Sequence, residues 1–147
     1  MSAQRATVDT LRPDLLELHR AVIDAQRIHY ERSHGRVETS GEFLGLVLNH
    51  PDFDWIRALS ALIARMDEWS EAGDGAGDAE LEDILATLRD LLHPQGGNRA
   101  FTERYWRLVD DDPDVTVPHV KVWRLLENTR GRPPAPGPRP SARPEGP

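Results

Sequence analysis

Residues 11–30 read LRPDLLELHRAVIDAQRIHY, and this stretch decides the fold class. Leu11, Leu15, Leu18, Val22 and Ala25 recur at steps of three and four. Leu16, Ile23 and Tyr30 form a second line beside them. That spacing lays one wide apolar stripe along an α-helix and cannot be placed on one face of a strand. The opposite face carries Glu17, Arg20, Asp24, Arg27 and Glu31. They alternate in sign at i,i+3 and i,i+4 spacing, as a solvated helix surface does. Asp9 or Thr10 is the expected cap, with Pro13 in the first turn, where a missing N–H is harmless. Gly35 is the expected terminator.

The same grammar continues downstream. Ser40 is expected to cap a short second helix through Phe43, Leu44, Leu46, Val47 and Leu48, which Pro51 ends. A helix two turns long that is apolar all round is expected to plug the bundle centre. The alternative is a patch for a protein partner or a second copy of the chain. Pro51 opens a third helix, DFDWIRALSALIARMDEWSE, with Ile56, Leu59, Ile63 and Met66 on one seam and Trp55, Leu62 and Trp69 along its flank. The segment EAGDGAGDAE reads as a flexible loop. Asp78 is expected to cap a fourth helix through Leu81, Ile84, Leu85, Leu88, Leu91 and Leu92. QGGN then makes a turn into a fifth helix carrying Phe101, Tyr105, Leu108 and Val109, with Trp106 beside them. Val115–Trp123 alternates like a strand. Pro118 disfavours a central strand and suits a helix start, so a helix over about 118–128 is the better reading.

Composition sets the outer limits. The chain has 147 residues, 38% hydrophobic and 29% charged, enough for one soluble domain. Seven of the twelve prolines fall in residues 130–147, RGRPPAPGPRPSARPEGP, where no large apolar residue occurs. This tail is expected to be disordered, because nothing in it can bury surface to offset ordering entropy. Its P-x-x-P match at Pro133–Pro136 is expected by chance in any proline-rich run. Four arginines and Glu145 give the tail +3, which leaves −10 for residues 1–129 out of the total of −7. So acidic a body is a poor partner for nucleic acid. The absence of cysteine excludes disulfides, thiolate-bound metals and thiol catalysis. No apolar run approaches a bilayer span, and residues 1–11 do not resemble a secretory signal, so a cytoplasmic location is expected. Lys121 is the single lysine against seventeen arginines, a bias that points to a GC-rich bacterial source.

The block FLGLVLNHPDFDWIRALSALIARMDE, followed by FTERYWRLVDDDPDV and VPHVKVWRLL, resembles a family of small bacterial all-helical proteins. The likeness extends over roughly residues 10–129. It implies a helical bundle and supports a helical last segment. These are packing motifs, and the resemblance carries over no catalytic, cofactor or metal residue.

Candidate chemistry is sparse. The histidines are His19, His29, His34, His50, His93 and His119. His29 continues the apolar line through Val22 and Ala25 and is expected to be partly buried, with a lowered pKa. His19 and Gln26 lie on the second line. Neither Glu-x-x-His nor His-x-x-x-His occurs, so the di-iron carboxylate pattern is missing, and no metal site is assigned. In HPDFD, His50, Asp52 and Asp54 could pair imidazole with carboxylate, but a proline start with capping aspartates explains them as well. The acidic runs EAGDGAGDAELED and DDDPD lack the EF-hand spacing. The glycines of the first are not followed by the Lys-Ser/Thr of a phosphate loop. The four tryptophans, without a basic groove, read as core and interface aromatics.

The expectation is therefore an all-α bundle of five or six helices over residues 1–129, with a tail at 130–147. Its expected role is that of a non-enzymatic cytoplasmic interaction or accessory module, with no cofactor and no catalytic residue assigned. A metal-binding or enzymatic bundle using His and carboxylates is the alternative, together with a bundle sensing a small molecule.

Overall fold

A computed structural model describes residues 3–129; the readings of the tail at 130–147 lie outside them. The all-α expectation holds. Among the described residues there are seven helices and no strand: α1 Ala3–His34, α2 Ser40–Asn49, α3 Pro51–Asp54, α4 Arg57–Glu71, α5 Asp78–Leu92, α6 Arg99–Asp111 and α7 Pro113–Thr129. None is long and apolar enough to cross a membrane.

The seventh helix arises by division. The expected third helix breaks at Trp55–Ile56, where ψ of −24° and −17° tightens the chain and the Ile56 N–H bonds to the Phe53 carbonyl at 3.2 Å. This i→i−3 geometry is that of a 3₁₀ turn. It lets Phe53, Trp55 and Ile56 all enter the core, which one straight helix could not do.

The 32-residue α1 is the spine, about 48 Å long at 1.5 Å per residue. Along it lies α7, held at the surface by Lys121 Nζ on Glu17 at 3.1 Å. The α4–α5 hairpin and α6 close the remaining sides. The core joins Leu11, Leu15, Leu18 and Val22 of α1 to Leu59 and Met66 of α4, Ile84 and Leu88 of α5, Tyr105 of α6, and Val115 and Val122 of α7. The full apolar sets read for the third and fourth helices are buried.

Several expectations need correction. The first helix starts at Ala3, and Pro13 lies inside it. Its extra turns are docked: Val8 is buried, and the Arg5 guanidinium donates to the Ser70 carbonyl at 3.0 Å while lying over the Trp69 ring. Tertiary anchoring here outweighs one missing backbone bond. The second helix is no plug. It has no buried residue, Leu44 and Leu48 are 59% and 56% exposed, and its cap is Thr39, whose Oγ1 accepts the Glu42 N–H at 3.0 Å. It rests on α3 and is gripped through Phe43, over which the Arg27 guanidinium lies at 5.1 Å. The fourth helix is preceded by Gly77 rather than capped by Asp78. The loop at 71–80 holds a 3₁₀ turn at Gly73–Gly75, pinned by Trp69 Nε1 donating to the Gly77 carbonyl at 2.8 Å. The last helix begins at Pro113, five residues before Pro118. Asp112 Oδ1 accepts the Asp114 N–H at 2.9 Å and supplies the start signal. Gly35 does terminate α1, with φ +88°.

Candidate functional site

The apolar line of α1 changes character at its C-terminal half. Ala25 is buried and so is the neighbouring Gln26, at 6% exposure, whereas His29 is exposed. Partial burial of His29 is thus not found. Between Gln26 and His29 one side of the helix borders a gap, while Arg27 and Tyr30 pack on α2 and α3. The gap is a hollow of about 180 Å³ lined by Gln26 and His29 of α1, Asp52 of α3, and Arg104, Arg107 and Leu108 of α6.

Arg104 and Arg107 stand one turn apart on the exposed side of α6, so both guanidinium groups reach the same rim. Neither has an ion-pair or hydrogen-bond partner among the described residues, although the chain is acidic and several other arginines are paired. The Gln26 carboxamide also has no partner among them. The residue is buried, but its amide atoms keep access to the hollow, where water serves them until a ligand takes its place. The hollow therefore presents two fixed positive charges, an unused amide and an imidazole. Asp52 tempers the charge from the α3 side.

At the other edge of Asp52, the end of α1 meets the α2–α3 junction. His34, His50 and Asp52 each bring a ligating atom within 4.8 Å of the others. Tyr30 organises the corner: its ring stacks on His34 at 4.1 Å and meets His50 edge-on at 5.1 Å. His50 caps α3, its Nδ1 accepting the Asp52 N–H at 3.0 Å. Asp54 stays outside this group, beside Arg57 at 3.3 Å.

The remaining histidines are accounted for locally. His19 Nε2 lies 2.7 Å from Ser60 Oγ, and burial lowers its pKa. His93 Nδ1 accepts the Gln95 N–H at 3.0 Å in the turn after α5. His119 is 6% exposed, with Nδ1 2.6 Å from the Tyr105 hydroxyl and Trp106 and Trp123 against its ring. Burial pushes the His119 pKa down and the Tyr105 pKa up.

No family model, curated protein or solved structure matches this chain.

Reasoning from sequence missed the hollow and the Tyr105–His119 pair. His119 continues the α7 line of Val115, Val122 and Leu126, a signal hidden while the helix was started at Pro118. Arg104 and Arg107 carry only i,i+3 spacing, which surface arginines share widely.

Proposed function

We propose that this chain is a helical binding module of accessory character that takes a small oxyanion, a carboxylate or a phosphate, in the hollow between α1, α3 and α6. The observation that carries the reading is the convergence of Arg104 and Arg107, both without acidic partners, on the unpartnered amide of buried Gln26. Guanidinium groups present planar forks of donors that match carboxylate and phosphate oxygens. An amide can donate or accept as the bound ligand requires. Guanidinium and amide recognise a ligand without exchanging protons with it near neutral pH, which favours binding over catalysis.

The size of the hollow limits the ligand. At about 180 Å³ it lies below the ~300–1,000 Å³ of sites for drug-sized molecules. Asp52 cuts the net charge of the two arginines to one unit. A singly charged ligand suits the lining, as does one with a hydrogen-bond donor beside its anionic group. The acidic body does not attract anions at long range, so recognition rests on short-range contacts inside the hollow.

The rest of the reading is a bacterial, cytoplasmic setting without nucleic acid, supported by the arginine bias and the net charge of −7. A second role, in protein association, is favoured by one observation: α2 leaves Leu44 and Leu48 mostly exposed.

A thermal-shift panel of small mono- and dicarboxylates, phosphate and sulfate at constant ionic strength tests the proposal. Ligands that bind only the folded state raise Tm with concentration. One anion class should do so for the native chain and lose the effect in Arg104→Gln and Arg107→Gln. No anion-specific rise, or the same rise in both variants, rejects it.

A further inference from the structure

Two imidazoles and a carboxylate meet at the corner between the end of α1 and the α2–α3 junction, and the fold explains why they do. Gly35 stops α1 one residue after His34, with its N–H on the Glu31 carbonyl at 3.0 Å. The chain returns through α2, and His50 and Asp52 arrive together as the cap and first turn of α3. The donor atoms of His34, His50 and Asp52 then all lie within 4.8 Å of one another.

The hydrogen bonds fix which nitrogen each ring can offer. His34 Nδ1 lies 3.1 Å from the Tyr30 carbonyl, so that nitrogen carries the proton and donates. The Nε2 lone pair of His34 is left free. A ring anchored on a carbonyl through one nitrogen and open at the other is the usual arrangement of a metal-bound histidine. The Tyr30 ring stacked on it at 4.1 Å, 6° from parallel, holds its plane. His50 Nδ1 points at the start of α3, 3.0 Å from the Asp52 nitrogen and 3.9 Å from Asp52 Oδ2. Coordination at this nitrogen gives up the capping bond from the Asp52 N–H, and the Asp52 carboxylate lies close enough to share the same cation.

We infer that His34, His50 and Asp52 form a site for a divalent transition metal, with Zn²⁺ as the reference ion. Two nitrogen donors and one carboxylate oxygen are a set that zinc accepts in tetrahedral geometry, and three protein ligands leave the fourth position open. Hard cations such as Mg²⁺ and Ca²⁺ prefer all-oxygen sets. His34 is exposed, so the ion enters from solvent without unfolding the corner. Binding requires unprotonated imidazoles and therefore weakens in acid. The two sites share Asp52, but His34 and His50 do not line the hollow, so a variant of His34 tests the metal site alone.

The test is calorimetric titration of Zn²⁺ into the full chain, purified without a histidine tag and stripped with chelator. A single saturable site should appear and weaken about tenfold or more in His34→Ala. His93→Ala, in the turn after α5, should bind as the native chain does. His50→Ala also removes the α3 cap, so the exposed His34 is the deciding position, with circular dichroism confirming the fold of its variant. Absent or non-saturable binding overturns the inference, as does equal affinity in His34→Ala. If Zn²⁺ binds while no anion does, this site stands and the reading of the hollow falls.

Discussion

The Tyr105 hydroxyl and His119 Nδ1 lie 2.6 Å apart between α6 and α7, with both residues buried. Burial favours the uncharged form of each, lowering the His119 pKa and raising that of Tyr105. The fold therefore holds a neutral imidazole hydrogen-bonded to a neutral phenol, in a place where burial penalises the charged imidazolium.

The pH dependence follows from that. In the unfolded chain His119 has an ordinary pKa of ~6.5, and in the fold it is lower. Below ~6.5 the unfolded state binds the extra proton first, so stability is full above that pH and falls as pH drops toward the folded pKa. His19, lowered by burial as well, acts in the same direction. Denaturant midpoints measured from pH 8 to 5 should decline below about 6.5. His119→Gln, which can still hydrogen-bond to Tyr105 but does not titrate, should show a shallower decline. An identical pH profile in that variant contradicts the account.

Tyr105→Phe removes the hydroxyl and leaves the buried imidazole nitrogen unpaired. The expected cost is about 1–3 kcal/mol, because a desolvated nitrogen is left without a partner. Chemical denaturation checks it; a loss below a few tenths of a kcal/mol would mean the bond is not formed in solution.

Gly96→Ala should destabilise the turn between α5 and α6. A Cβ there would stand 2.1 Å from the Asp90 carbonyl oxygen and 3.2 Å from that of His93, both backbone atoms that cannot swing aside. Crowding of this kind costs about 1–3 kcal/mol. Gly41→Ala on α2, where a Cβ meets nothing within 4 Å, is the matched control and should not lose stability.

The exposure of α2 separates it from the core. Leu44→Asp and Leu48→Asp should fold with melting temperatures close to that of the native chain, because neither introduces a buried charge. Leu88→Ala, at a fully buried position of α5, should cost ~2–5 kcal/mol. Unfolding of either aspartate variant would mean that α2 is clamped into the bundle after all.

Helical periodicity made the bundle legible because the burial of α1, α4 and α5 is one-sided and regular. Leu81 through Leu92 announce both their helix and its inward face. What the sequence concealed lies where a local rule yields to a tertiary contact. Pro13 and Pro118 mark helix starts by local rules, yet both helices begin well before them, the first because Arg5 and Val8 dock on the bundle and the last because Asp112 caps earlier. The apolar run of α2 signals burial, but its neighbours cover only part of it. The polar lining has no sequence signature at all. Gln26, Asp52 and Arg104 are far apart in the chain, and they meet only because the chain tightens at Trp55 and α6 stops short of covering α1.

The central claim is that Arg104, Arg107 and Gln26 together receive a small anion. Proton–nitrogen NMR of the labelled chain, titrated with the anion giving the largest thermal shift, observes the Gln26 side-chain amide and the Nε–H groups of both arginines directly. The account predicts that these three resonances move together to saturation along one binding curve, while side chains on the far face of α7 stay still. Shifts that spread over all exposed arginines without saturating, or a Gln26 amide that does not move, would contradict it.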